Sequence, residues 1–276
     1  MALIRTLERS GFNLKPTSSG IGLSLLIKSG MFLSLLLMLA LSGFSEEKRD
    51  QNVRLTGSAA ITSKGLSTFP NLTLGKPALL FDMSLGNENF RFDPTLRFGI
   101  DGKPWTFIFW VRYEAIQSEK FGLRLGAHPA YSFKTISTNQ NGQVSEVLRT
   151  HQYLAAEIVP VFKVSKNLSI APFVVFAYGV DSDAVKFSNF ISLLANMANL
   201  PITDEIYSNL MAQVYYLKMD ANRGYYFNST LSLNKRNFPL SLSATINKAI
   251  DTSLLGEKFL WNINLIYRFG GIFRPV

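Results

Sequence analysis

Apolar and polar residues alternate along most of the chain from residue 52 onward. From Phe90 the even positions Phe90, Phe92, Leu96, Phe98 and Ile100 are apolar, while the odd positions hold Arg91, Asp93, Thr95 and Arg97. The next stretch, "PWTFIFWVRYE", sets Trp105, Phe107, Phe109, Val111 and Tyr113 against Thr106, Arg112 and Glu114. Phe121, Leu123, Leu125, Ala127, Tyr131 and Phe133 then oppose Gly122, Arg124, Gly126, His128, Ser132 and Lys134. Period two is the signature of strands. The same alternation runs near residues 52–63, 77–86, 147–163, 167–178, 185–195, 211–219, 224–235, 238–249 and 258–269, which predicts twelve strands. The segments 185–195 and 211–219 carry it most faintly. A count of ten is the alternative, and dropping 185–195 alone gives eleven with one terminus on the wrong side. Pro94, Pro129, Pro160 and Pro172 fall inside predicted strands, where a missing N–H predicts bulges or rims.

Face chemistry separates a sandwich from a membrane barrel. The solvent face of a sandwich is rich in Lys and Glu. Here the polar face is Gly, Ser, Thr, Asn and Arg, and the apolar face is wide and aromatic at its ends. A transmembrane antiparallel up-and-down β-barrel requires that arrangement, with ~9–11 residues per strand in lipid, and it must close because hydrocarbon satisfies no free backbone group. Twelve strands with both termini periplasmic place short turns at 86–89, 115–120, 165–166 and 236–237 on the periplasmic side. Longer loops, 64–76 and 137–146, fall outside. The connection 196–210 breaks this rule, being long yet periplasmic.

Composition supports an all-β chain: 22 Phe, 10 Tyr and 3 Trp stand against 19 acids, and Phe and Tyr favour strands. The segment "MFLSLLLMLAL", residues 31–41, follows Lys28 and precedes the small residues Gly43 and Ser45. This predicts a leader and secretory signal peptide over residues 1–45, cut between Ser45 and Glu46, and a barrel over 46–276. An anchor helix is the competing reading, although the run is shorter than the ~20 residues a bilayer requires. Removing residues 1–45 takes away four basic residues and one acid, leaving 24 Lys and Arg against 18 Asp and Glu, +6 in place of +9. That charge is spread over alternate strand positions instead of clustering, which argues against nucleic acid as a partner. With no cysteine, disulfides, thiolate metal sites and a cysteine nucleophile are excluded.

On the inferred interior face stand Arg54, Arg91, Arg97, Arg112, Arg124, Lys134, Arg149 and Arg268 with Asp82, Asp93, Glu114 and Glu157. Cross-strand ion pairs that stiffen the barrel are one reading; a basic constriction favouring anions is the other. His128 and His151 face the interior on neighbouring strands, as a pH-sensitive pair, part of a metal site or structural residues. No carboxylate cluster stands at metal spacing beside them, so neither metal nor cofactor is expected. No serine-hydrolase, P-loop, dinucleotide or H-E-x-x-H motif is present, and no enzyme activity or catalytic residue is expected. The loop 65–76, "GLSTFPNLTLGK", is apolar for an exposed loop, and could enter the barrel mouth or dock on another outer-membrane protein.

The strand "FLWNINLIYRF" ends with Tyr267 and Phe269 on the apolar side, together with Trp261. Its portion "NINLIYRF" resembles the insertion signal of bacterial outer-membrane proteins, which implies the barrel assembly machinery as a partner during insertion and outer-membrane lipid around the barrel. It departs from that pattern in the tail "GGIFRPV" beyond Phe269. "TSKGLSTFPNLTLGKPALLFDMSLG", "GKPWTFIFWVRYE", "GAHPAYSF" and "NFPLSLSATINK" resemble an uncharacterised family of outer-membrane barrels from Bacteroidota over most of the chain beyond residue 45. The resemblance implies fold and location, and no ligand residue is carried over from it. The expected function is a narrow porin-like channel for small, anionic solutes; the alternative is a closed structural or accessory subunit of an outer-membrane complex.

Overall fold

A computed structural model describes residues 53–140 and 143–273. The expected leader over residues 1–45 lies outside the described residues. Twelve strands follow in chain order: β1 (Val53–Thr62), β2 (Ala78–Gly86), β3 (Phe90–Gly99), β4 (Pro104–Gln117), β5 (Phe121–Gln140), β6 (Gln143–Lys163), β7 (Leu168–Gly179), β8 (Phe187–Pro201), β9 (Ile206–Met219), β10 (Asn222–Lys235), β11 (Leu240–Thr252) and β12 (Phe259–Phe273). Each strand pairs antiparallel with its sequence neighbours, and β1 pairs with β12, so the sheet is a closed up-and-down barrel. Among the described residues the only helical element is one turn of 3₁₀ helix, Pro70–Leu72.

Alternation puts large apolar side chains outside. Phe81, Met83 and Leu85 of β2, Ile191 and Leu193 of β8, Leu231 and Leu233 of β10, and Ile263, Leu265 and Tyr267 of β12 are all exposed. Inside, Gln213, Asn228, Asn234, Asn247 and Asn262 are buried. A water-soluble sheet would invert this distribution; hydrocarbon favours it.

The end bearing the first and last strand tips is the terminus end here; its turns, 87–89, 118–120, 164–167, 202–205 and 236–239, are all short. The opposite, loop end holds the fifteen-residue connection 63–77 and the segment 180–186.

Three sequence expectations change. The connection expected over 196–210 is mostly strand: β8 runs on to Pro201 and β9 begins at Ile206, across an irregularity between Met197 and Leu200. The loop expected over 137–146 is mostly strand too. β5 and β6 stay paired to Gln140 opposite Gln143, and the residues between are the dipeptide Asn141-Gly142, a tight-hairpin signal. The prolines mark gaps in ladders instead of bulges. Pro160 and Pro172 face the same break between β6 and β7, where pairing lapses from Ile158↔Val174 to Phe162↔Ile170. Pro94 lies in a β2–β3 break and Pro129 in a β4–β5 break. A residue without N–H drops its ladder bond on one side and lets the strand run on. Register shifts occur at Arg97/Phe98, Glu114/Ile116, Met197/Leu200 and Tyr225/Tyr226.

The first of those shifts corrects a face assignment. Thr106 pairs with Arg97 and Pro104 with Phe98, leaving Trp105 as the extra residue. It turns inward and is buried, not outward with Phe107 and Phe109.

Candidate functional site

The interior has two chemically different walls. β2 to β6 carry the charges. Arg112 of β4 is central, with Nη1 2.8 Å from Asp93 Oδ2 and Nε 2.8 Å from Glu157 Oε1. Glu157 also accepts from Arg124 Nε at 3.1 Å, and its side chain is wholly removed from solvent. Arg91 Nη2 lies 2.7 Å from Glu114 Oε1, and its Nε 3.7 Å from Asp93. Ser84 Oγ donates to the free oxygen of Asp93 at 2.5 Å. Three guanidinium groups thus meet three carboxylates, so this network carries no net charge. Buried ions persist only when paired and hydrogen-bonded in this way.

Two interior arginines stand apart from the network. Arg268 of β12 donates to Asn234 Oδ1 at 3.2 Å and to Ser241 Oγ, both neutral. Arg97 lies over the Trp105 ring, 5.6 Å from its centroid, and its Nε has no hydrogen-bond partner among the described residues. Asp82, inward on β2 opposite Ser58, has no ion pair among the described residues. Arg54 reaches Glu88 at 3.5 Å at the terminus-end rim, where both are well exposed.

The β8–β12 wall is nearly uncharged. Its inward Asn, Gln, Ser and Thr residues bond to one another: Gln213 Nε2 to Ser192 Oγ at 2.9 Å, Asn247 Nδ2 to Tyr215 Oη at 2.8 Å, Asn264 Nδ2 to Ser243 Oγ at 2.9 Å. Towards the loop end this wall becomes aromatic, with Phe190, Tyr215 and Tyr226 following Phe173 of neighbouring β7 at centroid spacings of 5.5, 5.0 and 4.8 Å.

The apolar connection 63–77 folds inward against that cluster. Phe69 packs on Phe190 at 5.8 Å, and the carbonyl of Leu72 accepts a hydrogen bond from Trp105 Nε1 at 2.9 Å. The loop therefore reaches from β4 to β8 across the barrel mouth, taking the first of the two roles its sequence allowed. Open space remains along β1–β4. A cavity of about 540 Å³ is lined by Ser58, Asp82, Thr95, Arg112 and Arg268, and one of about 590 Å³ by Arg54, Glu88, Arg91 and Gln117; Thr56, Ser84 and Asp93 border both.

The histidines are not brought together. His128 sits opposite Ala155 and packs on Trp110, centroids 3.9 Å apart; His151 sits opposite Ser132 at the loop-end rim. Beyond that rim β5 and β6 continue as a two-stranded ribbon of eight residue pairs, Phe133↔Thr150 to Gln140↔Gln143. Lys134 and Arg149 belong to this ribbon, so they stand above the interior instead of lining it. Arg149 pairs with Asp183 of the 180–186 segment, and His151 Nε2 lies 3.1 Å from the same carboxylate. The hydrogen bond from His151, with the Arg149 charge, holds the Asp183 carboxyl below its ordinary range. Among the described residues no three His, Asp or Glu side chains are grouped to hold a metal ion.

Trp261, Tyr267 and Phe269 all face outward, Trp261 with Lys64 Nζ 4.9 Å from its ring centroid. The last strand does not stop at Phe269: Gly270 to Phe273 continue the pairing with Thr56 to Val53.

No protein-family model matches the chain, and no curated protein matches it in sequence. Solved structures of similar shape are outer-membrane proteins. They include a KdgM porin in complex with disordered oligogalacturonate (TM-score 0.48, 8% identity, 78% of this chain and 99% of that one) and an outer membrane channel from Pseudomonas putida F1 (0.45, 11%, 83% and 98%). LpxR from Salmonella typhimurium is a third (0.45, 9%, 78% and 99%). At such identities residue roles do not transfer.

Proposed function

We propose that this chain is an outer-membrane channel of narrow bore, passing small anionic solutes along the β1–β4 side of its interior. The observation that carries the reading is the pair of adjoining cavities, one of them lined by Arg268, an interior cation whose partners among the described residues are neutral. Because Arg91, Arg112 and Arg124 are matched by Asp93, Glu114 and Glu157, the unmatched charges of the cavity lining are Arg268 and Asp82, and Arg97, against Trp105 outside that lining, tips the same wall to net positive. A net positive wall raises the local concentration of anions. Residues 1–45 act as the cleaved leader, and the short turns support a periplasmic terminus end. The kinship with Bacteroidota barrels rests on the sequence stretches quoted above. The role is transport, without catalysis.

In this reading the 63–77 loop is the constriction. A closed accessory barrel is the second reading, favoured by the same Phe69–Phe190 contact and by the buried amide wall. Swelling of proteoliposomes holding residues 46–276 separates them. A channel admits small carboxylates faster than neutral solutes of equal size, and admits both faster when residues 65–75 are replaced by a Gly-Ser linker. Impermeability of both proteins establishes the closed barrel.

A further inference from the structure

The outward faces of β9 to β12 carry cations at the loop end that have no ion pair among the described residues. Lys218 of β9 and Arg223 of β10 are directly opposite in the ladder, and both are exposed. Like charges facing each other across a strand pair cost stability. Lys248, outward on β11 opposite Phe259, and Lys258, just before β12, extend the patch. Among the described residues none of these four has an ion pair. Cations at the same end of the other half do: Lys76 with Asp101 at 2.8 Å, Lys103 with Glu146 at 3.1 Å, and Arg149 with Asp183. The acids nearest in sequence and register are Asp220, two residues from Lys218 and accepting from the backbone N–H of Lys186 and Phe187, Asp251, opposite Tyr225, and Glu257, next to Lys258. Three acids against four cations leave the patch one charge positive.

Its height on the barrel is informative. Two residues nearer the middle of the wall, outward Tyr216 and Tyr225 lie 5.1 Å apart; on β7 and β8, Tyr178 and Phe187 form a similar pair at 5.5 Å. Aromatic rings of this kind mark the edge of the hydrocarbon, and cations just beyond them reach the headgroup layer. We propose that Lys218 and Arg223 bind the phosphate-bearing headgroup of an anionic membrane lipid in the leaflet at the loop end. A phosphate between the two side chains converts the opposed charges into charge-assisted hydrogen bonds. Lys248 and Lys258 supply further attraction on the same side.

This inference rests on the membrane reading, and the test separates the two. The folded chain is inserted into phosphatidylcholine vesicles, then titrated in mixed micelles with diphosphorylated lipid A or its dephosphorylated form, with bound lipid counted by native mass spectrometry. The wild type retains the diphosphorylated lipid in a salt-sensitive manner. Lys218→Gln with Arg223→Gln weakens retention by about 30-fold, on the scale of ~1 kcal/mol for each surface charge. Lys235→Gln, which removes a cation already paired with Glu205 at the other end, leaves retention unchanged. Equal retention by the double variant, or equal binding of the dephosphorylated lipid, overturns the proposal. Failure of the wild type to enter phosphatidylcholine overturns the membrane reading with it.

Discussion

The ring of Phe269 covers Gly57, its directly opposite partner across the seam between last and first strands. A Cβ built on Gly57 would fall 2.5 Å from Phe269 Cζ and 3.0 Å from the carbonyl oxygen of Asp82. An aromatic side chain placed over a strand glycine restores the packing that the glycine lacks. Gly57→Val is therefore expected to displace the ring and weaken the seam by about 1–3 kcal/mol, the usual cost of overpacking. The check is the temperature at which the folded, fast-migrating band is lost in heat-modifiability gels. An unchanged transition would show that the seam does not depend on this contact.

Glu157 holds two arginines, Arg112 and Arg124, from a position without solvent. Glu157→Gln keeps the shape and removes the charge, and uncompensated buried charge costs about 3–5 kcal/mol. Denaturant unfolding in detergent should show a loss of that order. The same variant leaves the interior more positive and should raise anion preference.

Arg268 and Arg112 should behave differently despite their proximity to the same cavity. Arg268→Ala removes a cation whose partners are neutral, so it should lower anion preference with little loss of stability. Arg112→Ala leaves Glu157 with Arg124 alone and Asp93 with Ser84 and the 3.7 Å contact to Arg91, so it should chiefly destabilise. Reversal potentials and unfolding curves for both variants decide the matter; identical behaviour would refute the division between matched and unmatched charge.

The β5–β6 ribbon is fastened to the 180–186 segment through Asp183. Because the carboxyl of Asp183 is held low, this tether is complete above the unfolded carboxylate range, around pH 4, and is lost as pH falls through the folded value. Asp183→Asn should reproduce the acid state at neutral pH. Faster amide exchange over residues 143–150 in that variant is the expected result, with the barrel strands unaffected.

Most of the wall was legible in the sequence because a barrel in lipid segregates its faces residue by residue. Phe121 to Ser132 and Tyr225 to Lys235 read correctly for that reason. Local events were harder to see. One extra residue at the Arg97/Phe98 shift turns Trp105 inward, and period-two counting carries no information about such an insertion. The prolines were visible, but whether a missing N–H produces a bulge or a gap depends on the neighbouring strand, as Pro160 and Pro172 show by sharing one break. Asn141-Gly142 was a readable signal for the long hairpin. For the interior, sequence brought the charged residues to one wall but could not say which were matched. Arg112 and Arg268 look alike in the chain and differ only in the partners that register gives them.

Single-channel conductance of residues 46–276 in a planar bilayer, with a salt gradient across it, tests the central claim most directly. A narrow anion channel gives small discrete steps, a reversal potential favouring anions, and larger steps when the 65–75 segment is replaced. A folded, inserted barrel that stays silent with and without that segment, or one that prefers cations, would contradict it.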